Sequence, residues 1–139
     1  MPDTLRIGLV IALFSTVFVL CHSAGGKSLA DVQYVKVVKK GDVWDFHVTV
    51  KHDDTGWDHY ADWWRITTEE GEEIARRVLR HPHIDEQPFT RSLYGVSIPE
   101  GVGIIMIEAH DKVHGYGGRT VVVDLAKEKG PDYEIAIKD

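Results

Sequence analysis

Cysteine is almost missing from this chain: Cys21 is the single thiol in 139 residues. One thiol cannot close an internal bridge, so a disulfide scaffold is excluded. Basic residues are in deficit, with 16 Lys and Arg against 22 Asp and Glu and a formal net charge of −6. No basic stretch is present to neutralise phosphates, which argues against nucleic acid as a partner. Internal repeats and low-complexity segments are absent. No long helical period competes with the alternation described below; the best helical stretch, 69–79, is weakened by Gly71 near its start. The hydrophobic share of 43% excludes a disordered chain and suits a core. The length allows one domain, without room for a second core.

Near the N-terminus, Arg6 precedes an apolar run over 7–20. It is the size of a signal-peptide core and shorter than the roughly 20 residues of a membrane-spanning helix. Small residues follow at Ser23, Ala24, Gly25 and Gly26. Residues 1–24 are therefore expected to be a signal peptide, with Ser28-Leu29-Ala30 offering a later cleavage site after residue 30. The alternative is an uncleaved N-terminal anchor, although no stop-transfer charges follow the run. A lipidated cysteine needs a small residue before it, and Leu20 stands before Cys21. The expectation is a periplasmic or secreted protein, without a stable membrane anchor after cleavage and with a cysteine-free body.

From Asp31 onward the period is two. In 43–51, Trp44, Phe46, Val48 and Val50 share one face, and Asp45, His47, Thr49 and Lys51 the other. This is the pattern of a half-buried antiparallel strand. Similar stretches at 32–39, 60–67, 73–80, 89–97, 103–110 and 119–125 give seven strands, and the tail 133–137 adds a short edge pairing. Short strands with turn signals between them predict an all-β fold: an immunoglobulin-like antiparallel β-sandwich over 31–139.

Connections between consecutive antiparallel strands alternate between the two ends of a sandwich. The longer connections, after strands two, four and six, fall at one end, and they carry His52, His59, His81, His83, His110 and His114. Any one of these reads most simply as an exposed polar residue. Three pairs converging on one end point to a cluster. An imidazole offers one nitrogen to a metal while the other donates to an acceptor. The six histidines are the candidate ligands, with Asp85, Glu86 and Asp111 as candidate acceptors for their ring N–H groups. Asp53, Asp54 and Asp58 lie among them as further acceptors or ligands. His47, mid-strand, belongs to an exposed face. Nitrogen and oxygen donors suit copper(II), zinc, iron(II) or nickel, with copper or zinc ahead of iron. Trp57, Tyr60, Phe89 and Tyr116 attend the same end, and tryptophans can stack on sugars.

Three blocks, Gly56-Trp57-Asp58-His59-Tyr60-Ala61-Asp62, His81-Pro82-His83-Ile84-Asp85-Glu86-Gln87-Pro88-Phe89-Thr90-Arg91 and Ala109-His110-Asp111-Lys112-Val113-His114-Gly115, resemble a family of small exported bacterial proteins without an assigned activity. A more distant resemblance is to superoxide reductases. His81-Pro82-His83 with Glu86 is similar to part of their first iron-binding motif, and Val113-His114-Gly115 to the end of their second. That likeness implies an immunoglobulin-like fold able to hold iron on histidines. The family's axial cysteine has no counterpart here, and the order and spacing of the blocks differ.

The sequence therefore leads to a periplasmic metal-binding sandwich engaged in metal capture, delivery or sensing, with a periplasmic protein as a further partner. A non-haem iron redox protein on the same histidines, and a metal-free module recognising a partner protein or glycan, stand as alternatives. Enzymatic activity is left open. No nucleophile-elbow sequence accompanies the histidines, which disfavours a hydrolase.

Overall fold

The computed structural model describes residues 27–139, so the expected signal peptide and Cys21 lie outside the described residues. The chain forms nine strands: β1 (Asp31–Lys40), β2 (Val43–Lys51), β3 (Ala61–Thr68), β4 (Glu73–Val78), β5 (Phe89–Val96), β6 (Ile104–Asp111), β7 (Val121–Asp124), β8 (Lys129–Gly130) and β9 (Tyr133–Lys138). There is no helix among the described residues, and so none that is long and apolar enough to cross a membrane. One sheet has the order β5-β2-β1-β9-β8 and the other β4-β3-β6-β7. The all-β sandwich expected from the alternation is present.

Two details go beyond that expectation. The tail forms a full strand, and β9 pairs parallel to β1, while every other pairing is antiparallel. The C-terminal chain thus crosses from β7 in one sheet to the other, where β9 lies beside β1 and the short β8, paired antiparallel to β9, forms the edge.

The core is built from the inward faces. In β2, Phe46, Val48 and Val50 are fully buried, and Trp44 packs against the cluster from its margin. In the facing sheet, Trp64, Ile66, Ile105 and Ile107 are also fully buried. Of the adjacent Trp63 and Trp64, the second faces the core and the first the outside, as neighbours on a strand must. Where the alternation fails, the register shifts. A shift between Trp44 and Phe46 in the β2–β5 ladder coincides with burial of Asp45, which by period alone belongs to the open face. Its carboxylate receives the Lys40 ammonium at 2.5 Å and the Gly95 N–H at 2.9 Å. That is how a buried charge is tolerated. A second shift, between Val32 and Tyr34 in β1, lets both Val32 and Val35 face inward.

The residues just before β1 already belong to the body. Ala30 is buried in the core, and Val32 N–H bonds the Arg119 carbonyl at 2.8 Å. Gly118 lies against this segment so closely that a Cβ there would sit 2.0 Å from the Ala30 carbonyl oxygen. Only glycine permits that approach.

Phe46 lies at the centre of β2 and of the core. Replacing it with alanine is expected to cost about 3–5 kcal/mol, by loss of transfer energy and by the cavity left behind. Chemical denaturation of Phe46→Ala checks this against Thr49→Ala on the other face of the same strand, expected to cost far less.

Candidate metal centre

The β2–β3 connection leaves the sheet at His52 in extended conformation, so His52 and Asp54, two residues apart, turn toward the same side. Both are buried. Asp54 Oδ1 lies 2.6 Å from His52 Nδ1 and accepts the Ala61 N–H at 2.9 Å; Oδ2 accepts the His83 N–H at 2.7 Å. One carboxylate thus joins the start of the β2–β3 loop to the start of β3 and to the β4–β5 loop. Gln87 adds a second clamp. Its side-chain oxygen accepts the His52 N–H at 3.0 Å, and its amide donates to the His83 carbonyl at 2.9 Å.

The β6–β7 loop is held by Asp111 at the end of β6. Asp111 is fully buried, and its Oδ1 accepts the N–H groups of Val113 and His114 at 2.9 and 2.7 Å. The loop closes on itself through Gly115 N–H to the Asp111 carbonyl, with Gly115 at φ +74. That tight return sets the His114 ring over the carboxylate, its Nδ1 3.3 Å from Asp111 Oδ1. His59, at the end of the β2–β3 loop, brings Nε2 to 3.2 Å from the same oxygen. The His59 ring touches His52 at a centroid distance of 4.8 Å and His114 at 5.0 Å.

His52, His59 and Asp111 each offer a ligand atom, all within 4.8 Å of one another, a group that can hold a metal ion. The hydrogen-bond balance of the group is incomplete. His59 Nε2, His114 Nδ1 and Asp111 Oδ2 are buried without a hydrogen-bond partner among the described residues. The close approaches of the two rings to Asp111 have the distance of hydrogen bonds but not their direction. Leaving three polar atoms dry in this way is costly unless something else satisfies them. Donor atoms about 2.0–2.1 Å from a tetrahedral ion are about 3.3 Å from each other, close to the 3.2 and 3.3 Å that separate the His59 and His114 nitrogens from Asp111 Oδ1.

His52 is different. Nδ1 faces the Asp54 carboxylate and Nε2 faces the Ser28 carbonyl at 3.1 Å, so both nitrogens meet acceptors. Burial opposes its protonation, but the hydrogen bond and charge of Asp54, with the charge of Asp111 and the Ser28 carbonyl, outweigh it and hold the pKa above the ordinary value of 6.5. Burial likewise opposes ionisation of Asp54, and the bonds from His52, His83 N–H and Ala61 N–H overcome it, so its pKa lies below 3.8. To ligate a metal, His52 Nε2 must leave Ser28 and lose its proton, while Nδ1–H on Asp54 fixes the ring as carboxylate–histidine pairs at metal sites do.

The remaining candidates lie elsewhere. His83 is buried against Phe89, ring centroids 4.0 Å apart and nearly parallel, with His81 beside it at 4.5 Å. Burial, then the charges of Arg91 and His81, push the His83 pKa down. Both lie across Asp54 from the His52–His59–Asp111 group. His110 points to the outer face of its sheet, stacked on Trp63 at 3.6 Å with Nδ1 2.6 Å from Asp62. Asp85 and Glu86 are exposed, and Glu86 pairs with Arg91. The carboxylates that hold candidate histidine rings at 2.6 Å are Asp54, on His52, and Asp62, on the outward-facing His110. The i, i+2 spacing of His52-Asp53-Asp54 was the available signal for Asp54; Gln87 and the Ser28 carbonyl gave none.

The chain is 38% identical over 124 residues to a protein of Halomicrobium mukohataei named "Putative lipoprotein", covering 85% of this chain and 53% of that protein. It therefore spans about half the length of the curated relative it matches. No protein-family model and no solved structure matches the chain.

These environments set opposite pH signatures. The contribution of His52, whose pKa is raised, is fully present below about 6.5 and fades as pH rises through its folded value. That of His83, whose pKa is lowered, is present above about 6.5 and fades as pH falls toward its folded value. That of Asp54 is present above about 3.8 and is lost as pH falls through its lower folded value. NMR titration of the metal-free protein is expected to place His52 above 6.5 and His83 below, with Asp54→Asn lowering the His52 midpoint. Equal midpoints for the two rings would contradict this geometry.

Proposed function

We propose that this chain is an exported metal-binding protein. It holds one divalent transition ion between His52, His59, His114 and Asp111, with Asp54 orienting His52. The observation that carries the reading is the set of buried, unpartnered atoms His59 Nε2, His114 Nδ1 and Asp111 Oδ2, with the two ring nitrogens 3.2 and 3.3 Å from the other oxygen of the same carboxylate. Three imidazoles and one carboxylate suit zinc or copper(II) ahead of iron(II), because the affinity of a nitrogen and oxygen donor set for divalent ions is higher for copper and zinc than for iron. Capture, delivery or sensing of the ion fits a loop-borne site at one end of a rigid sandwich. Export is supported by the apolar run at 7–20 and by the name of the Halomicrobium mukohataei relative. The six-histidine set narrows, in this reading, to His52, His59 and His114.

Protein purified without a histidine tag is expected to carry close to one zinc or copper per chain by elemental analysis. Calorimetric titration of the stripped protein should show one tight site. His59→Ala, His114→Ala and Asp111→Asn should each abolish it, and Asp54→Asn should weaken it about 10–100-fold. His47→Ala serves as control, since His47 sits on β2 bonded to Ser92 at 2.6 Å. Affinity should fall from about pH 7 to 5, because protons compete for the imidazoles. Binding that is indifferent to His59, His114 and Asp111 would end this reading.

A further inference from the structure

On the other side of Asp54 the charge reverses. A pocket of about 130 Å³ opens between the end of β4 and the start of β5, lined by Arg77, Leu79, Arg80, His81, His83 and Arg91. A chain of net charge −6 has gathered three arginines and two histidines around one small cavity. Their charge is barely compensated. Among the described residues Arg91 pairs with Glu86 at 3.4 Å, and neither Arg77 nor Arg80 has a carboxylate partner. Arg77 spends its Nε and one terminal nitrogen on the backbone carbonyls of Ser92 and Val78, at 2.9 and 2.6 Å. Those bonds hold its guanidinium in place across the β4–β5 gap.

His83 supplies the second observation. Its side chain is 2% exposed, and neither ring nitrogen has a hydrogen-bond partner among the described residues. Nδ1 stands 3.9 Å from Asp54 Oδ2, too far to bond. The ring is fixed by stacking on Phe89 and by the Asp54 bond to its own backbone N–H, so its place does not depend on those nitrogens. A buried imidazole with two idle nitrogens, on a cavity walled by guanidinium groups, has an N–H without an acceptor. A cation would be repelled by the arginines, whereas an anion would be drawn in. Guanidinium forks match the oxygens of phosphate and related anions.

We propose that this pocket binds a small tetrahedral oxyanion, of the phosphate or sulfate kind, at a site separate from the metal cluster. Arg80 and Arg91 supply charge at the mouth and His83 an N–H from the floor. The ion is either free or the head of a small ester.

The test is NMR titration of the metal-free, untagged chain with inorganic phosphate at constant ionic strength. Saturable shifts are expected at the amides of Leu79, Thr90 and Ser92, displaced by sulfate and not reproduced by sodium chloride. Arg80→Gln, at an exposed position, should weaken binding about tenfold. His83→Phe keeps the stack on Phe89 and removes both nitrogens, and it should weaken binding by a similar factor. Unchanged melting temperatures would show that both variants fold. Glycerol phosphate forms the second arm. Tighter binding than phosphate assigns the pocket to esters, and equal binding assigns it to the free ion; both uphold the site. His59→Ala should leave phosphate binding intact, so this test and the metal test fail independently. Shifts that chloride reproduces, or phosphate binding that survives both Arg80→Gln and His83→Phe, would overturn the proposal.

Discussion

The Asp54 carboxylate is the constraint on which the functional end of this molecule depends. It is buried, and it is surrounded by donors from three places: the His52 ring, the Ala61 N–H and the His83 N–H. An ionised carboxylate in such a place is stable only when its lone pairs are filled by fixed donors. Each donor is therefore held as firmly as the charge itself. This ties the exit of β2, the entry to β3 and the β4–β5 loop into one unit, although loops are ordinarily the mobile part of a sandwich. Gln87 repeats the linkage with neutral bonds to both loops.

Two unlike environments follow from that one group. Toward the β6–β7 loop lie His59, His114 and the Asp111 carboxylate, an arrangement rich in potential ligand atoms. Toward β4 and β5 lie Arg77, Arg80, Arg91 and His83, rich in N–H donors and short of acceptors. Asp54 stands between, its Oδ1 serving His52 and its Oδ2 serving the His83 backbone. At His52 burial is outweighed by the bond to Asp54 and the pKa is raised, whereas at His83 burial first, and then the charges of Arg91 and His81, lowers it.

The sandwich itself was legible because burial on one face of a strand imposes a period of two, and Trp44 to Val50 display it openly. The convergence of the long loops was legible too, since antiparallel strands force connections to alternate between ends. Parity brings loops together but does not aim side chains. It could not separate His110, which ends a strand on its outer face and stacks on Trp63, from His114 four residues later, which a glycine turn folds back over Asp111. Nor could it foresee that Asp45 would be buried, because the register shift beside it breaks the alternation on which the reading relied.

Taken alone, the sequence determined the all-β class, the strands, the inward faces and the end of the sandwich at which the histidines gather. These are one-dimensional patterns, and burial writes them directly into residue order. Only the tertiary structure decided the parallel return of β9 beside β1, the partition of six histidines into a group around Asp111 that could hold a metal ion, an arginine-lined pocket and a surface stack, and the bond of the His52 ring to Asp54 while Asp85 and Glu86 stay exposed. Those outcomes depend on distances and hydrogen-bond directions between residues far apart in the chain, such as His59 with Asp111 and Asp54 with His83. Spacing along the sequence does not specify such geometry.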